Sequence, residues 1–185
     1  MNSSIMAFAL AISGATAALA QDTWDVDHQT ARLAFMFAIG DATATGTFGD
    51  WSADIQFDPT HPGESFVRVD VDMASVSVDD PRAQAVDDAA WLATSDHPTA
   101  VFEATGFDLS AGNRLSVDGT LTLKGVQAPL TLTGTLRLEG KTAMADLSGS
   151  ILRQSHDIGL GQDAVSSDVT VRTTFTAYRT SQTDQ

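Results

Sequence analysis

Between Leu33 and Ala177 the apolar residues of this chain return at every second position in five separate runs. Leu33, Phe35, Phe37 and Ile39 alternate with Arg32, Ala34, Met36 and Ala38, and Val67, Val69, Val71 and Met73 alternate with Arg68, Asp70 and Asp72. Val117, Gly119, Leu121 and Leu123 form a third set, and Leu130, Leu132, Gly134, Leu136 and Leu138 a fourth. Val169, Val171, Thr173, Phe175 and Ala177 form the fifth. A period of two puts one set on one face of a strand, so these runs predict half-buried strands and argue against helices. Further strands are expected near Phe48 to Phe57, Thr99 to Phe107 and Thr142 to Leu152. About eight strands suffice to close an antiparallel all-β barrel able to hold one small ligand.

Turn chemistry separates the runs. Asp58-Pro59-Thr60-His61-Pro62-Gly63, Ala111-Gly112-Asn113 and Lys124-Gly125 read as loops. Residues Pro81 to Ser95 break the alternation. Pro81 suits a first helical turn, Asp79 or Asp80 an N-cap, and Val86, Ala89 and Ala90 share a helical face. A short helical insertion covering one barrel end is predicted there. Among the inward sets, Gly119, Gly134 and Thr173 are small or polar, and they read as gaps that leave the interior open for a ligand.

The first twenty residues differ from the rest. Met1 to Ala20 carry no Asp, Glu, Lys or Arg and end in Ala18-Leu19-Ala20. They read as a signal peptide (1–20) cleaved before Gln21, leaving residues 21–185 as one barrel domain. Cysteine is absent, which excludes disulfides and thiolate metal sites. Ten basic residues, only two of them lysines, stand against 24 carboxylates, for a net charge of −14. Such a surface repels nucleic-acid phosphates and anionic lipid headgroups, so no nucleic-acid partner is expected.

Catalytic patterns are missing. No Gly-x-Ser-x-Gly elbow, phosphate-cradling glycine loop or His-Glu-x-x-His motif occurs. His28, His61, His97 and His156 lie far apart without ligand spacing, so no metal site is expected. His156 and Asp157 are adjacent and, on a strand, face opposite sides, which makes no dyad.

Several segments taken in order resemble the YceI-like family of exported lipid-binding proteins. The resemblance begins at Trp24-Asp25-Val26-Asp27 with Leu33-x-Phe35-x-Phe37, and continues through Gly46-Thr47-Phe48-x-x-Trp51-x-x-x-Ile55-x-Phe57-Asp58-Pro59. Ser75-Val76, Arg82 and Leu92 follow, then His97-Pro98-Thr99-Ala100-Val101-Phe102. The most specific piece is Gly119-Thr120-Leu121-Thr122-Leu123-Lys124-Gly125-Val126, followed by Pro129-Leu130-Thr131-Leu132. Arg153 with Asp157-Ile158-Gly159 is similar to the family's late Arg-x-Asp-Phe-Gly motif, with Ile158 for Phe and Ser155 and His156 intervening. Trp91-Leu92 stands where the family has Phe-Phe.

The resemblance implies a lipocalin-like antiparallel barrel whose apolar tunnel takes up a polyisoprenoid or the tail of an isoprenoid quinone. It implies a periplasmic, non-enzymatic carrier with no resident cofactor. It also implies a transient link to a membrane b-type cytochrome or the quinone pool. The chain is expected to act as a monomer or homodimer. From the alternation, Phe35, Phe37, Phe48, Ile55, Phe57, Val69, Val71, Phe102, Leu121, Leu123, Leu130, Leu132, Gly134 and Phe175 are the expected apolar interior that meets the ligand. Two other functions compete: an enzyme acting on a small apolar substrate inside the barrel, and a ligand-free stress-protective protein. The first needs an ionisable inward group, the second a packed interior.

Overall fold

The computed structural model describes residues 22–83 and 85–180; the expected signal peptide lies outside them. Eleven strands form one sheet: β1 (Thr23–Val26), β2 (Arg32–Ile39), β3 (Ala42–Phe48), β4 (Trp51–Gln56), β5 (Phe66–Asp72), β6 (Val76–Val78), β7 (Thr99–Ser110), β8 (Arg114–Leu123), β9 (Val126–Glu139), β10 (Thr142–Leu152) and β11 (Asp168–Thr180). All pairings are antiparallel.

The sheet closes on itself as a barrel of eight strand positions, because β11 pairs β10 along one edge and both β1 and β2 along the other. On that second edge Trp24 lies opposite Arg179, and Leu33 opposite Thr173. The first three positions are strands broken in the middle: β1 with β2, β3 with β4, and β5 with β6. The first break is a turn at Asp27, whose carboxylate accepts from Gln29 N at 3.0 Å. The third is a 3-10 turn, Met73–Ser75, with the Asp72 carboxylate accepting from Ala74 N at 2.9 Å. Consecutive positions run up and down, so the turns fall at two ends. Residues 57–65, 111–113 and 140–141 lie at the lower end. Residues 40–41, 79–98, 124–125 and 153–167 lie at the upper end.

The alternation seen in the sequence is the alternation of the wall. Along β9, Leu130 and Leu136 are buried and Leu132 half-buried, whereas Thr131, Thr133 and Thr135 are exposed. The β8–β9 connection carries two residues with positive φ, Lys124 at 52° and Gly125 at 76°. That is the type I′ geometry whose twist matches a two-residue hairpin.

The upper end departs from expectation. Among the described residues of 81–95 none is α-helical. A 3-10 turn at Pro81–Ala83 leads into tight turns closed by bonds such as Val86 N to Ala83 O (3.1 Å) and Trp91 N to Asp88 O (2.9 Å). Ala93 then takes a left-handed conformation, φ 49°. This path buries Leu92 and Ala93, and Leu92 packs in a cluster with Val71, Met73, Ala100 and Ile158. Isolated helices this short are marginal, so burying two side chains outweighs local propensity.

The wall also parts at this end. The β9–β10 ladder stops at Thr133 and Ser148, and a further 3-10 turn, Arg153–His156, packs into the gap. His156 is therefore on a turn, not a strand. It is 1% exposed, and its Nδ1 donates to Val126 O at 3.1 Å, serving a β9 carbonyl that the ladder leaves open.

Candidate functional site: the barrel lumen

Inward side chains from every strand position except their glycines converge on one elongated cavity of about 270 Å³. Its lining runs from Trp24, Phe57 and Ala143 near the lower end to Trp91, Leu92 and Ile158 beneath the upper turns. Two hydrophobic clusters bound it. The lower includes Trp24, Phe57, Phe102, Val117, Leu130 and Leu147; the upper centres on Met73 and Leu92.

The structure brings together all but one of the expected interior residues. Phe35 and Phe37 from β2 stack at 5.9 Å between centroids, and Phe48 from β3 tilts against Phe35 at 5.3 Å. Ile55, Val69, Val71 and Phe102 line the neighbouring wall, with Phe57 just below β4. Leu121, Leu123, Leu130, Leu132 and Phe175 complete the circuit. Many of these, including Phe37, Phe48, Ile55 and Leu132, stay half-accessible although they point inward, because they face the void.

Gly134 is the exception, and the glycines do not open the lumen. A Cβ on Gly134 would overlap the backbone carbonyl of Asp146, since β10 closes directly against it. At Gly119 the apparent gap is filled by the Phe102 ring, 2.7 Å from where a Cβ would stand. Gly46 is likewise covered by the Phe35 ring. Laying a ring over a strand glycine restores the packing that the missing side chain removes. Of the three small inward residues, Thr173 alone lines the cavity.

The space comes instead from alanines. Ala53, Ala100, Ala143, Ala145 and Ala177 all border the void. Trp24, Leu115, Leu136, Leu147 and Ile151 also line it. Leu115 could have been found by extending the β8 alternation two residues back from Val117, and Ala143, Ala145 and Leu147 by setting a register for β10.

Two ionisable residues contribute to the lining, Arg153 and Arg172, but the Arg172 side chain is 52% exposed and turned away from the void. Both are engaged. Arg172 makes a bidentate pair with Asp146 at 2.9 and 2.7 Å, which holds the Asp146 carboxyl below the usual carboxylate range. Arg153 is 3% exposed and donates to five backbone carbonyls of the 158–166 segment: Ser166, Ile158, Gly159, Gln162 and Val165. Its guanidinium also lies 5.8 Å from the Trp91 ring centroid. Among the described residues, no group of three or more His, Asp or Glu side chains is placed to hold a metal ion. The lumen is almost wholly apolar, with the Thr173 hydroxyl among the few polar groups that border it.

Known proteins share both sequence and architecture. The YceI-like domain matches residues 24–177. A UPF0312 protein of Azotobacter vinelandii is 32% identical over 130 residues, 69% of this chain and 68% of that protein. Protein YceI of Escherichia coli O157:H7 is 31% identical over 125 residues, 66% of this chain and 65% of that protein. Burkholderia cenocepacia BcnA superposes with a TM-score of 0.76 at 24% identity, covering 82% of this chain and 99% of that one. A polyisoprenoid binding domain from Saccharophagus degradans superposes with a TM-score of 0.64 at 18% identity, covering 85% and 98%. With the domain matched from the first strand of the barrel to its last, and the same barrel found in these structures, the chain belongs to the YceI-like family.

Proposed function

We propose that this chain is an exported carrier that holds the hydrocarbon tail of a polyisoprenoid or isoprenoid quinone in its lumen and performs no chemistry on it. The observation that carries this reading is the elongated cavity itself, walled by apolar side chains, with both bordering arginines already bonded to protein. A prenyl tail has no hydrogen-bonding group, so a lumen that offers few polar groups suits it. Each buried methylene contributes about 0.8 kcal/mol, so roughly ten buried carbons give about 8 kcal/mol before association costs. A polar head would be left outside. The Saccharophagus degradans domain, named for polyisoprenoid binding, shares this fold and supports the same ligand class here. A ligand-free protein would fill its interior, and this one does not.

Replacing Ala53, a half-buried lining residue of β4, with Trp puts a large apolar group into the void without touching the backbone. Native mass spectrometry of the purified protein should detect a bound prenyl lipid, and Ala53→Trp should fold yet lose it. A folded Ala53→Trp protein carrying the lipid at full occupancy would count against the lumen as the site.

Export places this carrier in the periplasm, where it could exchange its cargo with the quinone pool or a membrane b-type cytochrome. N-terminal sequencing of the mature protein should then read from Gln21. A mature chain still beginning at Met1 would overturn export by cleavage.

A further inference from the structure

The two ends of the lumen are closed in different ways, and we propose that Trp24 is a floor that sets how much of a prenyl chain the barrel can bury, with the chain entering tail-first from the upper end. The inference rests on the carrier reading above.

At the upper end the closure consists of turns laid across the barrel mouth. The 85–94 segment meets the loop after β10 through Gly159 N donating to Ala90 O at 2.7 Å. Lys124 ties both from outside, its Nζ donating to Ala89 O at 2.8 Å and Asp157 O at 2.9 Å. These contacts can open without parting any strand ladder.

At the lower end the closure belongs to the wall. Trp24 is 3% exposed and stands on β1, held between the β4 and β11 ladders. Its indole Nε1 donates to Phe57 O at 2.9 Å, which fixes the ring at the lower end of the lumen. Phe57 in turn packs against Phe107, 5.8 Å between centroids. Below the indole lies the Arg179 guanidinium, 5.1 Å from the ring centroid and paired with Asp22 at 3.3 Å. A tail advancing from above meets a buried aromatic layer backed by a charge.

The length above that floor follows from the strands. Leu115 and Leu123 both line the cavity and lie eight residues apart on β8. At about 3.3 Å per residue and a tilt of about 40°, the lumen is about 20 Å long. Three backbone bonds span about 3.8 Å, so the four main-chain bonds of an isoprene unit span about 5 Å. About four units then reach from mouth to floor.

The test is a series of linear polyprenols of increasing isoprene number, added from ethanol to detergent-free buffer, each displacing 1-aminoanthracene from the purified protein. Affinity should rise by about tenfold or more with each unit up to about four, and then level off. Trp24→Ala should move the plateau to longer chains, as should Phe107→Ala, the alternative where removing Trp24 impairs folding. Ala143→Leu, which raises the floor, should move it to shorter ones. An affinity that keeps rising well past four units in the wild type, or an unmoved plateau in every folded variant, overturns the floor while leaving the carrier reading in place. Failure of every prenol to displace the dye from the wild-type protein overturns the carrier reading itself.

Discussion

Replacing Arg153 with alanine should destabilise the protein by about 3–5 kcal/mol, the range expected when one partner of a buried, fully bonded charge is removed. Five carbonyls between Ile158 and Ser166 share this one guanidinium, and that segment has no strand ladder of its own beyond an isolated bridge from Val165 to Ile39. Without the side chain those carbonyls must find water, so the segment must leave the barrel end. The damage should spread, because the Arg153 guanidinium also stacks on Trp91 and Gly159 anchors Ala90. For a domain of this size the loss corresponds to a fall in melting temperature of roughly 6–20 °C. Hydrogen exchange should rise first at residues 157–166 and 85–94. Lysine should not rescue it, since a point charge with three donors cannot serve five acceptors spread around a planar fork. An Arg153→Ala protein within about 1 kcal/mol of wild type, with unchanged exchange at those residues, would show that the segment is held by something else.

The residues that were legible in the sequence are those whose role depends on the nearest neighbours along the chain. Phe35, Val69, Leu121 and Phe175 lie on alternating runs, and alternation alone decides which face they occupy. Lys124-Gly125 was readable as a turn for the same local reason. The upper end was not readable. The 79–98 segment takes its shape from what Leu92 buries against, and those partners, Met73 and Ile158, lie far away in sequence. Arg153 could be seen as part of a motif, but its bonds go to carbonyls, which every residue type carries, so no pattern of side chains announces them. His156 lies past the strand expected over Thr142 to Leu152, on a 3-10 turn whose burial no side-chain pattern announces.

The glycines mislead for a related reason. A glycine in an inward register position is ambiguous: it can leave space, or it can mark where another backbone comes too close for any side chain. Gly134 is of the second kind. Its pairing partner is Leu147, and the preceding carbonyl of β10, on Asp146, occupies the place where a Cβ would be. Gly134→Leu should therefore not act as a plug in the lumen. It should push β9 and β10 apart at a ladder that continues down to Glu139 and Thr142. Overpacking in a core costs about 1–3 kcal/mol when side chains can yield. Here the obstacle is backbone, so the cost should reach or exceed about 3 kcal/mol. Gly134→Ala should already destabilise, because the first carbon makes the collision. Ala53→Trp supplies the contrast, losing lipid with its fold intact, whereas Gly134→Leu should lose lipid only in the fraction that unfolds. Thermal midpoint and bound lipid measured on the same preparations separate the two. A Gly134→Leu protein as stable as wild type, whether empty or loaded, would mean that β10 can retreat and that the close approach at Asp146 is not required.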